Sequence, residues 1–325
     1  MKRSLFAYIV TGIGLLLWVS MVWSQAPSYP NRPIRLIIQY PPGGAVDPMA
    51  RSIAQELAKA WGQPVVVDNR PGAGTIIATE ILAKAPPDGY TVILSSVALT
   101  VNPAMHSKLP YDPVKDFTPI SLVAKYPMML VVNPKIPVHS VRELIAFLKA
   151  RPGQINFSST GIGTIQHLAG ELFKSVTGVD MVHVPYKGSG LSMMSVMRGE
   201  VSLTMDVIVL LLPQVKAGNL RALAVTGAKR SPLAPNLPTV SETGLAGFEV
   251  STWLGFLAPA GTPREVVKKW HQEIARILQL PEIRERQISQ GIDPVGSTPE
   301  YFAEFIKAEI AKWGSMVKQA GIKPN

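Results

Sequence analysis

The stretch IRLIIQYPPGGAVD, residues 34–47, decides the fold class. Residues 34–40 form a mostly apolar run, too short for a helix, that reads as a buried strand. Pro41, Pro42, Gly43 and Gly44 then turn the chain. Asp47 suits the cap of a helix and Pro48 its first position. After them Ala50, Ile53, Ala54, Leu57 and Trp61 fall on one helical face. A strand at 64–69, a helix ending at 83 and a strand at 91–95 complete the order βαβαβ. That order predicts a parallel sheet covered by helices.

A second series starts near residue 130. Strands are expected at 130–132, 155–158, 181–185, 201–206 and 223–226, with helices at 140–150, 164–176 and 191–198. Ser140 and Glu143 have the spacing of a capping box at the first of these helices. The C-terminal part holds a strand at 253–257 and then helices. One opens at Thr262-Pro263, with Glu265 placed to complete its cap, and the last opens at Thr298-Pro299. The expectation is two α/β lobes of similar size.

Composition agrees. A chain of 325 residues, 47% hydrophobic and 17% charged, exceeds one ordinary core. It has no Cys, which excludes disulfides, cysteine-ligated zinc, iron–sulfur clusters, thiol catalysis and a lipid anchor on an N-terminal cysteine. The five histidines (His106, His139, His167, His183, His271) lack metal-ligand spacing, so no metal and no cofactor is expected. The net charge of +10 is diffuse, without a basic run interleaved with aromatics. That speaks against nucleic acid and leaves a field that gathers anionic solutes. At the N-terminus Lys2 and Arg3 precede an apolar run at 5–23, followed by the small residues Ser24 and Ala26. This is the pattern of a secretory signal peptide over residues 1–24, cut after Ser24, since a cut after Ala26 would leave Pro27 first. The alternative is an uncleaved anchor.

In open α/β sheets ligands bind beyond the carboxyl ends of strands. Three loops fit: residues 41–47, residues 158–164 and residues 186–190. Their glycines permit close backbone approach, and the helix N-termini after them favour a carboxylate. His167, one turn into the helix after the second loop, is a candidate cleft residue, as are Tyr40 and Tyr186 beside the loops. Asp206, at a strand end, suits either a ligand ammonium group or the cap of the next turn. No phosphate-binding signature is present, and Gly72-Ala73-Gly74 lacks the third glycine of the dinucleotide pattern. Enzyme chemistry finds little support, since neither G-x-S-x-G nor H-E-x-x-H occurs.

PIRLIIQYPPGGAVD, GQPVVVDNRPGAGT, APPDGYT, YDPVKDFTPI, SSTGIGTIQHLAGELF, HVPYKGSG, LRALAVTGAKRSP and LPTVSETGL, in this order, resemble the solute-binding family of tripartite tricarboxylate transporters, the Bug family. The resemblance implies an α/β, two-domain periplasmic binding-protein fold (type II-like) with the ligand cleft between the domains. It places domain 1 at 25–126, domain 2 at 127–251 and a C-terminal part at 252–325 that returns to domain 1. It further implies a monomer that takes a small carboxylate and hands it to the membrane subunits of the transporter. By the resemblance, Gly43, Gly44 and Asp47 of the first loop and Ser159, Thr160, Gly161, Gly163, Thr164 and His167 of the second carry most ligand contacts. Tyr40, Val46, Ser95 and Ser96, at the same strand ends, are expected beside them. Tyr186, Lys187 and Asp206 complete the expected set. The resemblance allows an organic acid, an aromatic acid or an acidic amino acid as the carboxylate. Val46 stands where the family usually has Thr, which removes one hydroxyl, counts against a common amino-acid or dicarboxylate ligand and favours a less polar or aromatic acid. The competing reading is a periplasmic hydrolase or isomerase using His167 and a serine of the second loop.

Overall fold

The computed structural model describes residues 29–42, 46–319 and 321–324. The expected signal peptide and Gly43 and Gly44 lie outside them. In chain order the elements are β1 (Ile34–Ile38), α1 (Asp47–Trp61), β2 (Val65–Asn69), α2 (Ile76–Ala83), β3 (Thr91–Ser96), α3 (Ala98–Met105) and β4 (Phe117–Val132). Then come α4 (Val141–Lys149), β5 (Asn156–Ser159), α5 (Ile165–Thr177), β6 (Val182–Pro185), α6 (Ser189–Arg198), β7 (Leu203–Val207), α7 (Ile208–Lys216) and β8 (Arg221–Val225). The chain ends with β9 (Ser251–Pro259), α8 (Arg264–Leu278), α9 (Pro281–Ser289), β10 (Asp293–Pro294) and α10 (Pro299–Gln319).

The strands form one sheet in the order β2-β1-β3-β9-β4-β7-β5-β6, with β8 and β10 also paired to β4. β1 runs parallel to β2 and β3, and β5 parallel to β6 and β7, as the βαβ reading requires. β9 and β4 are antiparallel insertions at the centre. β4 is the shared element: it pairs with β9 as far as Pro127 and with β7 and β8 from Met128 or Met129 onward.

The strand pattern in the sequence covers only residues 130–132 of this sixteen-residue strand. Its prolines are the reason, because proline removes a ladder donor and argues against a central strand. Here the ladder accommodates Pro119 by a shift of register, and Pro127 sits where β4 exchanges one set of partners for another. Helices α3 and α7 were missed for a related reason, since each carries an internal proline, Pro103 and Pro213. α9 was not read as a helix either. Two caps differ from expectation. α1 is capped by Val46, and Asp47 is already helical; α8 is capped by Pro263, while the Thr262 hydroxyl donates back to Pro259 O. At Ser140 half of the expected capping box forms, with Glu143 N donating to its hydroxyl at 3.1 Å, while the Glu143 carboxylate accepts from His139 N at 2.7 Å instead of from Ser140 N.

One apolar cluster runs through both halves of the sheet, from Ile37 and Phe117 to Leu130 and Phe157, and α10 adds Phe302 and Trp313 to it. Each such side chain stabilises the fold by about 1.5–3 kcal/mol when fully buried. Gly170 lets α5 lie directly on β5, because a Cβ there would run into the Phe157 ring. This contact fixes where the N-terminus of α5 points.

Candidate functional site

A cleft of about 420 Å³ opens at the carboxyl ends of the parallel strands, between the two halves of the sheet. Two wider hollows of about 490 and 580 Å³ lie beside α8, away from those strand ends. The cleft's first wall comes from Tyr40 after β1, Gly74 and Thr75 after β2, and the α3 segment from Val97 to His106. The second wall is the loop from Thr160 to Gln166, and Thr252 of β9 lies at the junction.

A buried hydrogen-bond chain joins the first wall. Tyr40 Oη donates to Ser96 Oγ at 3.0 Å, and Ser96 Oγ to Gln39 Oε1 at 3.0 Å. Gln39 Nε2 donates to Thr79 Oγ1 at 2.9 Å, and Thr79 Oγ1 to Thr75 O at 3.0 Å. Burial raises the Tyr40 hydroxyl pKa, partly offset by Ser96, so the phenol stays a donor at neutral pH.

The second wall is held mostly by bonds between residues close in sequence. Thr164 Oγ1 donates to Gly161 O at 2.7 Å, and Ser159 Oγ donates to the same carbonyl at 3.0 Å. Gly163 N donates to His167 Nδ1 at 3.0 Å. Thr160 Oγ1 donates to Gln166 Oε1, whose Nε2 donates to Asp206 Oδ1 at 3.0 Å. His167 stacks on His183 with ring centroids 3.8 Å apart. Burial, followed by the charges of His183 and Lys174, pushes His167 down to about 4; burial and Lys174 do the same to His183. Both imidazoles are therefore neutral at pH 7.

Among the described residues, no Lys or Arg lines the cleft. Three helix N-termini line it instead: α2 at Thr75, α3 at Val97 and Ala98, and α5 at Thr164 to Gln166. Among the described residues, none of the three has a side chain bonded to its first-turn N–H groups. Each such terminus stabilises an anion by about 0.3–1 kcal/mol, and up to about 2 when partly buried. The arrangement suits a carboxylate held by backbone donors without a cation.

Of the expected residues, Tyr40, Thr160, Gly163 and Thr164 line the cleft. Ser96, Ser159, Gly161, His167 and Asp206 stand behind them as bonded supports. Asp206 Oδ1 also accepts from Val207 N at 2.7 Å, but the cap of α7 is Val207, and the buried Asp206 Oδ2 has no partner among the described residues. Asp47 is buried against Asn69 and Arg51, with Val46 beside it as the cap of α1. Ser95 is buried in β3. Tyr186 packs in the apolar cluster under α6 and α7, Lys187 is exposed, and neither lines the cleft. Thr75, Asn102, Met105 and His106 also line the cleft without being among the expected residues. The one available signal was the Gly-Ala-Gly-Thr turn before a helix.

Over residues 49–322 the chain matches the tripartite tricarboxylate transporter family receptor. Protein BugT of Bordetella pertussis is 40% identical over 301 residues, 92% of each chain. An R. palustris protein solved with adipate is 37% identical, with a TM-score of 0.77 over 91% of this chain and all of the other. The periplasmic binding protein BugD is 33% identical, with a TM-score of 0.74 over 91% of this chain and all of the other. The fold is thus that of periplasmic solute-binding proteins, and the chain belongs to the receptor family of tripartite tricarboxylate transporters.

Proposed function

We propose that this protein captures a small organic acid in the cleft and delivers it to the membrane subunits of a tripartite tricarboxylate transporter, without chemical change. The observation that carries the reading is the meeting of three uncapped helix N-termini on one cleft. The apolar part of the lining, including Val97, Val101, Met105 and Ile165, suits a hydrocarbon body between or beside polar ends. The adipate held by the 37% identical relative is a solute of that kind.

The reading includes export to the periplasm, removal of residues 1–24 and action as a monomer. Domain limits of 25–126, 127–251 and 252–325 are part of it, and the exchange of β4 partners between Pro127 and Met128 supports the middle boundary. Among the described residues no helix is long and apolar enough to cross a membrane. A hydrolase or isomerase reading is disfavoured by the geometry. His167 Nδ1 is occupied by Gly163 N–H, and the buried Ser159 hydroxyl is bonded to Gly161 and to His183, 2.6 Å away.

A thermal-shift screen of organic acids tests the capture reading. A solute at 100 times its dissociation constant adds about 2.7 kcal/mol and should raise Tm by a few degrees. A broad panel of mono- and dicarboxylates that leaves Tm unmoved would refute it.

A further inference from the structure

The first wall contains a turn whose backbone is costly to hold. From Gly72 to Thr75 four consecutive residues have positive φ, at +126°, +45°, +60° and +78°. Two of them, Ala73 and Thr75, are not glycine, and a β-branched residue in this region is an outlier. Three bonds keep the turn in place. Thr75 N donates to Gly72 O at 2.9 Å, Asn102 Nδ2 to Gly74 O at 3.0 Å, and Thr79 Oγ1 to Thr75 O at 3.0 Å. Strain that the surroundings maintain this firmly points to a use.

The strain has a chemical consequence. A threonine that caps a helix ordinarily sits in extended backbone, where its hydroxyl accepts from an N–H of the first turn. Thr75 caps α2 in the left-handed region, at φ 78° and ψ −3°, and makes no such bond. Both halves of the usual pair are left over. Ile76 N donates to Ala73 O, and among the described residues the first-turn N–H groups after it have no side-chain acceptor. Thr75 Oγ1 has no partner among the described residues and is itself shielded from solvent, on a residue 9% exposed that lines the cleft.

Resting on the carboxylate reading of the cleft, we infer that Thr75 is a specificity-determining residue for a second polar group of the solute. One carboxylate lies at the N-terminus of α5. An oxygen at the other end of the solute takes the Thr75 hydroxyl, brought into the cleft by a change of χ1 rotamer, together with the N-terminus of α2. The solute class is an acid with oxygen functions at both ends of an apolar body.

Calorimetric titration with adipate and hexanoate, equal in carbon number and differing in the second carboxylate, tests this on the wild type, Thr75→Val and Thr75→Ser. The wild type should prefer adipate. Thr75→Val keeps the shape and loses the hydroxyl, so it should bind adipate about tenfold more weakly, a loss of one charge-assisted hydrogen bond, and hexanoate unchanged. Thr75→Ser should stay near wild type for both. Should Thr75→Val not fold, Thr75→Gly, which suits positive φ, carries the same expectation. A folded variant without the hydroxyl that keeps its adipate affinity, or that loses both acids equally, overturns the inference. So does a wild type that holds hexanoate no less tightly than adipate. A wild type that responds to no acid in the thermal-shift panel refutes the carboxylate reading itself.

Discussion

The two walls of the cleft differ in how far along the chain their parts are drawn. The second wall is a single loop, Ser159 to His167, whose glycine, serine and threonine contacts mostly lie within six residues of one another. The first wall gathers Tyr40, Gly74, Thr75 and the α3 segment. It is joined by a buried chain whose links span as many as 57 residues. A loop of the first kind forms as soon as its flanking strand and helix are in place. A wall of the second kind exists only once β1, β3, α2 and α3 are packed together. Damage to the glycines and hydroxyls of the second wall should therefore act mainly on solute binding, and damage to the first on binding and stability together.

The largest effect is expected in the second wall. Gly163 has φ +77°, and a Cβ there would lie 2.5 Å from Met105 Cε, across the cleft. In Gly163→Val the Met105 tip can swing aside, but the backbone strain remains at about 1–3 kcal/mol, and the valine branches enter the cleft. Binding of the acid that gives the greatest thermal shift should weaken by about a hundredfold, or about 2.7 kcal/mol, with a circular dichroism spectrum like wild type. A variant that binds normally would show that this loop is only a turn.

The counterpart in the first wall is Gln39→Leu. Gln39 is 2% exposed and both accepts from Ser96 and donates to Thr79. Leucine leaves a buried hydroxyl donor without an acceptor, at a cost of about 1–3 kcal/mol. Tm should fall by several degrees, and Tyr40 and Thr75, no longer joined, should let solute affinity drop about tenfold, 1.4 kcal/mol. Loss of Tm with unchanged affinity would separate the chain from the binding wall and break the comparison.

The same contrast explains what could be read in the sequence. The second wall was legible because Ser-Ser-Thr-Gly-Ile-Gly-Thr is contiguous and lies between a strand pattern and a helix pattern. Most of the first wall was not. Nothing in the spacing of Tyr40, Thr75 and Asn102 says that the sheet will bring them together. The left-handed run at 72–75 was hidden because Ala and Thr are residue types that avoid it. Asp47 attracted attention as a polar residue beside glycines, yet its carboxylate is engaged by Asn69 and Arg51. The alternation of strands and helices was legible throughout, and it failed where proline stands inside an element, in α3, α7 and β4.

The smallest predicted effect separates the walls by acid. His167 and His183 are held near a pKa of about 4, against an ordinary 6.5, chiefly by burial and then by neighbouring positive charge. Between pH 6.5 and 4 the unfolded chain binds protons at these two sites that the folded chain does not, so stability rises with pH across that window. The contribution is complete above pH 6.5 and is lost as pH falls toward 4. One unit is worth 1.36 kcal/mol, but the rings keep partial solvent access, so the pair together should account for about 2 kcal/mol. Protonation also removes the Nδ1 lone pair that accepts Gly163 N–H, so the second wall should loosen first. Asp68, Asp112 and Glu242 are shifted below ordinary values of 3.8, 3.8 and 4.5, so their losses fall in a lower window. The measurement is Tm from pH 7.5 to 4.5 for the wild type and for a His167→Gln, His183→Gln double variant. The wild type should lose several degrees below pH 6.5, and the variant should be less stable at pH 7.5 and flatter across the window. Parallel curves would place the proton-sensitive groups elsewhere and remove this distinction between the walls.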